Sequence, residues 1–205
     1  MKLKDTIGVF ENAFSKDECD ALIKRHEVAI KRGMAYGGMS GDGGENENKK
    51  STDYNILHQH NDVDNKLSEM VLIKFNQYIG EYLTNAPYAD TFYHNRIVNG
   101  ITDYPLLQMQ KYDKNEGHYN TWHVEKEHLA SAQRMFVLIL YLNDVEEGGE
   151  TGFLFKEEGE DDFYKVKPKV GKLIIHPCSW PYVHKGYTPE SDDKYILTTW
   201  LEYVQ

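Results

Sequence analysis

His123 and Glu125, in the stretch Thr121-Trp122-His123-Val124-Glu125, are the residues most suited to chemistry. Two residues apart on an extended segment, their side chains project from the same side. An imidazole and a carboxylate so placed make two thirds of a metal site. A second His from far along the chain would complete a set of two His and one carboxylate, which leaves open positions on non-heme Fe(II). The chain has nine His, so the pair alone is a weak signal, and several residues could supply the third donor. His184 lies in Tyr182-Val183-His184-Lys185-Gly186. His176 ends an apolar run. His58 and His60 precede Asn61 and Asp62, and His128 follows Glu125 closely.

Lys194 opens the run Lys194 to Leu201. Alternation in a strand puts Lys194, Ile196, Thr198 and Trp200 on one face. A buried ammonium is tolerable when a carboxylate partners it and costly when none does. Lys194 therefore reads either as a solvated strand start or as the cation for an anionic ligand in a cavity that Trp200 shares.

The elements that must position these groups are legible in outline. Ile7 to Phe10 reads as a short strand. Ser15 and Glu18 have the spacing of a capping box, which predicts a helix to about Arg32 with Cys19, Leu22 and Ile23 inward. Six of the sixteen glycines lie between Gly33 and Lys50, a loop that could be a lid or a plain surface excursion. Ser51 to His58 looks extended. Val63, Leu67, Met70, Val71, Tyr78 and Tyr82 follow helical spacing, giving a second helix from Val63 to about Leu83, with Pro87 ending the region.

From Leu106 the pattern changes to strands. Leu107 and Met109 share one face; Gln108, Gln110 and Tyr112 share the other. Met135 to Leu142 is a continuous apolar strand, as expected where both faces are covered. Lys172 to His176 and Lys194 to Leu201 complete the set. Helices first and strands later predict an antiparallel core buttressed by helices: mainly β with supporting helices, an α+β chain. No internal repeat or linker divides it, so residues 1–205 are expected to form a single domain.

Composition narrows the function classes. Apolar residues make up 40% and charged residues 27%, ordinary for a soluble globular protein. The net charge of −10 argues against nucleic acid as a general partner, because phosphate binding needs a basic surface. No apolar run approaches a membrane span, and Met1 to Asp5 lacks the apolar segment of a signal peptide. With only Cys19 and Cys178, a reduced, cytoplasmic setting is expected.

Taken together, Tyr112, His123-x-Glu125, the run Tyr141-Leu142-Asn143-Asp144-Val145-Glu146-Glu147-Gly148-Gly149-Glu150-Thr151-Gly152-Phe153, His184 and Lys194 resemble the Fe(II)- and 2-oxoglutarate-dependent dioxygenases of the prolyl 4-hydroxylase-like type. The resemblance spans Ile7 to Trp200 and is strongest from Gln108 onward. It implies a double-stranded β-helix, a jelly roll packed on N-terminal helices. It implies metal ligation, and thus catalysis, by His123, Glu125 and His184, the last because Lys194 follows it at the family's spacing. Asp is usual where this chain has Glu125, which is still an anionic oxygen ligand. Lys194, with Tyr141 and Tyr112, would bind 2-oxoglutarate, and Trp200 and Gln110 would line the substrate pocket. The cofactor implied is Fe(II), with 2-oxoglutarate and O2 as co-substrates and ascorbate left open. The reaction implied couples oxidative decarboxylation of 2-oxoglutarate to hydroxylation of a C–H bond, in a peptidyl prolyl residue or else in a free amino acid or other small molecule. An open groove near Lys49, Lys50 and Trp200 would favour the peptide. A non-catalytic jelly-roll binding module is the third alternative. Neither nucleic acid nor membrane is an expected partner, and the sequence is silent on oligomeric state.

Overall fold

The computed structural model describes residues 2–4, 6–39, 47–57, 61–86, 102–155 and 163–204. In chain order the strands and helices are β1 (Lys2–Lys4), β2 (Ile7–Phe10), α1 (Lys16–Lys31), β3 (Tyr36–Gly37), β4 (Lys49–Lys50), β5 (Thr52–Asn55), α2 (Asp62–Asn85), β6 (Thr102–Asp103), β7 (Gln108–Tyr112), β8 (His118–His123), β9 (Arg134–Tyr141), β10 (Thr151–Phe153), β11 (Tyr164–Val166), β12 (Leu173–Pro177), β13 (His184–Gly186) and β14 (Lys194–Tyr203). A short 3-10 turn covers Leu129–Ser131.

Two antiparallel sheets form the jelly roll. The major sheet runs β1-β2-β12-β9-β14-β7-β5-β3, with β6 also on β14, and the minor sheet runs β11-β10-β13-β8-β4. Strand β9 shows why the two sheets and the helices hold together. Its side chains alternate between two apolar clusters. Phe136, Leu138 and Leu140 join Leu22 of α1 and Phe75 and Ile79 of α2. Val137, Ile139 and Tyr141 join Phe153 of the minor sheet and Trp200 of β14. An all-apolar strand is stable here because both of its faces are covered, as the sequence predicts.

The helices start where their caps are. Ser15 N–H donates to Glu18 Oε2 at 2.7 Å and Glu18 N–H donates to Ser15 Oγ at 3.3 Å, the reciprocal pair of a capping box. At the start of α2 the first residue of the apolar spacing does not pack inward: Val63 is 56% exposed and Asp64 is fully buried. The reason is electrostatic. Asp64 accepts from Arg25 Nε at 2.6 Å, Arg25 Nη2 at 2.7 Å, Tyr54 Oη at 2.6 Å and Asn61 Nδ2 at 2.6 Å. This ion pair ties the first turn of α2 to α1 and β5, and it overrides the apolar period at that end. Helix α2 runs to Asn85, while Pro87 lies outside the described residues.

Within the glycine-rich loop from Gly33 to Lys50, residues 40–46 lie outside the described set. The flanks are paired strand: β3 lies on β5 in the major sheet and β4 on β8 in the minor sheet. A bulge interrupts β14 against β9 between Leu201 and Glu202. Leu201 opposes Phe136, and Glu202 opposes Arg134, so Met135 is the extra residue. A single extra residue changes which face the next side chain takes. Arg134 is thereby brought onto the side of Val137 and Ile139, facing the space between the sheets.

Candidate metal and co-substrate site

His123 ends β8 and His184 begins β13, and the two are direct cross-strand partners. Cross-strand neighbours have Cβ atoms about 4.5–5.5 Å apart, so the pairing itself delivers two imidazoles to one point. Glu125 comes from the loop just after β8. The ligating atoms of His123, Glu125 and His184 all lie within 4.8 Å of one another, and this is the only such cluster among the described residues. Glu125 Oε1 is 3.2 Å from His184 Nε2 and 3.8 Å from His123 Nε2.

Backbone carbonyls fix both rings. His123 Nδ1–H donates to Thr121 O at 2.8 Å and His184 Nδ1–H to Tyr182 O at 3.1 Å. With the proton on Nδ1, each Nε2 lone pair faces the shared point, as a metal ligand requires. Tyr119 stacks on the His123 ring with centroids 3.9 Å apart. Burial, followed by the neighbouring His184, pushes His123 down to about 4, so the ring is neutral at physiological pH. Burial alone would raise the Glu125 carboxyl, but the hydrogen bond and charge of His184, then His123 and Arg134, hold it well below the usual range. Two imidazoles, that of His123 neutral, and an anionic carboxylate oxygen converging on one point fit a divalent ion that keeps open positions.

Glu125 is also held from behind. Trp200 Nε1–H donates to its Oε2 at 2.8 Å, and Arg134 Nη1 donates to Oε2 at 3.4 Å and to the Glu125 carbonyl at 3.1 Å. The Arg134 guanidinium lies over the Trp200 ring, 3.8 Å from its centroid, and its Nε is 3.2 Å from Glu202 Oε1. Strict alternation along β9 would turn Arg134 toward the helices with Phe136; the bulge at Met135 puts it beside the metal cluster instead.

A cavity of about 370 Å³ opens on the cluster. Its lining includes Tyr112, Thr151, Lys194, Thr198 and Trp200. Lys194 pairs in register with Tyr112 and is 3% exposed. Among the described residues its ammonium has no hydrogen-bonding or ion-pair partner; it sits 5.3 Å from the Tyr112 ring centroid and 5.6 Å from that of Tyr141. Burial pushes it down to about 8, opposed by the charge of Glu150. A desolvated cation facing a cavity fits an anionic group that enters it. Tyr141 stands behind the wall rather than in it. Its hydroxyl is 2.6 Å from Thr151 Oγ1 and 3.2 Å from Val166 O, and Thr151 does line the cavity. Tyr112 lines it directly, with its hydroxyl donating to Gln110 Oε1 at 3.1 Å.

The other candidate donors separate cleanly. His176 is fully buried beside His184, with centroids 4.8 Å apart, but its Nδ1–H donates to Pro177 O and the ring stands outside the cluster. Burial pushes it down to about 3. His128 lines the cavity without joining the cluster. His58 and His60 lie outside the described residues. Gln110, Gln108 and Lys49 share the lining with the exposed Tyr36 and Met39. Lys49 Nζ pairs with the buried Asp53 at 3.0 Å, and Gln108 Nε2 donates to the same carboxylate at 2.6 Å. Lys50 turns outward to Glu116. Sequence reasoning misses Thr151 as part of this cavity, and it misses Asp53 as the buried partner of Lys49. A signal for Thr151 does exist, since it lies within the motif on the opposite parity to Gly152.

The family model of the 2OG-Fe(II) oxygenase superfamily matches residues 107–202, which hold every residue of the metal cluster and Lys194. Prolyl 4-hydroxylase 13 of Arabidopsis thaliana is 26% identical over 93% of this chain, which spans 68% of that protein. Probable prolyl 4-hydroxylase 9 of the same plant is 29% identical over 47% of the chain and 39% of its own length. In fold, the chain is similar to a prolyl-4-hydroxylase of Pseudomonas putida, with a TM-score of 0.67 and 15% identity over 96% of this chain and 92% of that one. It is likewise similar to a prolyl hydroxylase of Trichoplax adhaerens solved with a hypoxia inducible factor oxygen degradation domain peptide fragment. There the TM-score is 0.74 and the identity 12%, over 98% of this chain and 84% of that one.

Proposed function

We propose that this 2OG-Fe(II) oxygenase, prolyl hydroxylase-like in sequence and fold, hydroxylates a prolyl residue within a peptide. The observation that carries the reading is a three-donor cluster facing a buried cation, Lys194, across one cavity. His123, Glu125 and His184 would hold Fe(II). Lys194 would take the distal carboxylate of 2-oxoglutarate, with Tyr112 and Thr151 forming the wall beside it. When bound, Fe(II) and 2-oxoglutarate supply the oxidative decarboxylation that activates O2 for C–H hydroxylation.

The chain's own contribution is binding, orientation and dryness. The neutral His123 ring presents its lone pair without first losing a proton. Lys194, buried at the cavity wall, directs the co-substrate by charge. Ile196, Ile139 and Trp200 give the cavity lining apolar surface.

Peptide rather than free amino acid is supported by the rim. Tyr36 and Met39 line the mouth yet are 42% and 56% exposed, offering apolar surface beyond what one amino acid could cover. The Trichoplax relative was solved with a peptide, which is the same direction of argument by likeness. The test is release of CO2 from labelled 2-oxoglutarate, with Fe(II), against proline-containing peptides and against free amino acids. A proline peptide should stimulate release and gain one oxygen atom by mass spectrometry. Stimulation by free amino acids alone would overturn the peptide reading, and no stimulation with no bound metal would leave a binding module.

A further inference from the structure

The two oxygens of Glu125 are in different hands. Oε1 faces the Nε2 atoms of His184 and His123. Oε2 faces away and meets two donors, Trp200 Nε1–H and Arg134 Nη1. We propose that Trp200 and Arg134 act as a carboxylate clamp: they hold Oε2, fix the rotamer of Glu125, and so offer the metal a single oxygen. This rests on the reading of His123, Glu125 and His184 as metal ligands.

The need for a clamp follows from the side chain. Glu has three rotatable bonds, and ordering such a side chain costs about 1.5–2 kcal/mol of rotamer freedom. Unrestrained, it can swing away or bind through both oxygens, and the second mode would fill a position that an incoming ligand needs. A donor at 2.8 Å from a rigid indole removes both options. The indole is rigid because it is buried at 8% exposure and covered by the Arg134 guanidinium. Arg134 is fixed in turn by Glu202, its partner across the bulge, and by the Glu125 carbonyl. The clamp is therefore built by β9 and β14, paired along most of their length, and not by the loop that carries Glu125. Trp200 and Arg134 are positioning residues. Groups that orient metal ligands from outside typically change metal affinity by about 10–100-fold.

Co(II) titration of the metal-free protein tests this, reading both the dissociation constant and the visible absorption of the bound ion, which reports coordination geometry. Trp200→Phe keeps an aromatic ring over Arg134 but removes the N–H. It should weaken Co(II) binding roughly 10–100-fold and change the band shape. Arg134→Lys, at a site whose side chain is 24% exposed, should weaken binding in the same direction, and it serves if Trp200→Phe does not fold by circular dichroism. In a Glu125→Asp background the shorter carboxylate cannot reach both metal and indole. There, Trp200→Phe should change affinity by less than about threefold, the coupling expected only of residues acting on one another. Wild-type affinity and spectrum in both Trp200→Phe and Arg134→Lys would overturn the clamp. So would an equal loss from Trp200→Phe with and without the Glu125→Asp substitution. A different failure would sink the metal reading itself: His123→Ala and His184→Ala each binding Co(II) as the unaltered protein does.

Discussion

Replacing Lys194 by Met should make the protein more stable and, at the same time, far worse at binding 2-oxoglutarate. The side chain is nearly isosteric, so packing is kept and the charge is lost. Burial lowers the Lys194 ammonium from 10.5 to about 8, which corresponds to roughly 3 kcal/mol of penalty on the charged form at 1.36 kcal/mol per pKa unit. The folded value lies below the unfolded one. The penalty is therefore fully present below about pH 8, shrinks as pH rises through the folded value, and is gone above about 10.5. Lys194→Met should then gain about 2–3 kcal/mol below pH 8, or roughly 4–12 °C in Tm for a chain of this size, and lose that advantage toward pH 10.5. Removing one partner of a desolvated charge pair costs about 2–5 kcal/mol, so the 2-oxoglutarate dissociation constant should rise from about 30-fold to several thousand-fold. In the unaltered protein the same ionisation should weaken 2-oxoglutarate binding by about tenfold per pH unit above pH 8. Thermal melts across pH and calorimetric titration of 2-oxoglutarate, with Co(II) present, read all of this. A Met variant that loses stability while keeping 2-oxoglutarate affinity would show that Lys194 serves the fold and not the ligand.

Three further outcomes are expected. His184→Ala should abolish metal binding at the cluster, whereas His176→Phe, outside the cluster, should retain it; metal content after dialysis decides, and the reverse result would exchange their roles. Asp64→Ala should destabilise the fold by about 3–5 kcal/mol, because it leaves Arg25 buried without its carboxylate, while metal affinity stays within about twofold of wild type; urea denaturation and Co(II) titration measure the two. Because Tyr141 reaches the cavity only through Thr151, Thr151→Val should weaken 2-oxoglutarate binding more than Tyr141→Phe, each by less than about 2 kcal/mol as neutral hydrogen bonds do; a larger loss in Tyr141→Phe would mean that the tyrosine contacts the ligand itself.

What is visible in the sequence is what depends on short-range rules. The continuous apolar run at β9, the Ser15–Glu18 box and the parity of β14 each follow from a few adjacent residues, and the structure has all three. The cytoplasmic setting expected from the composition is a separate matter: the structure adds only that no helix among the described residues is long and apolar enough to cross a membrane. The choice of His184 over His176 rests on a family spacing. Its physical basis, direct pairing of His184 with His123, is a register that no local pattern encodes. The role of Arg134 is hidden for a related reason. Its face depends on a bulge at Met135 set by pairing with β14, and strict alternation assigns it to the wrong side. Val63 shows the limit of periodicity at a helix end, where a charge cluster of Asp64, Arg25 and Tyr54 outweighs one exposed methyl pair.

The most direct test of the account is the fate of oxygen when the enzyme turns over a proline-containing peptide with Fe(II), 2-oxoglutarate and isotopically heavy O2. One heavy oxygen atom should appear in the prolyl ring and one in succinate, and both labelled products should be lost in His123→Ala. Heavy oxygen in succinate with none in any peptide, or a peptide hydroxyl drawn from water, would contradict it.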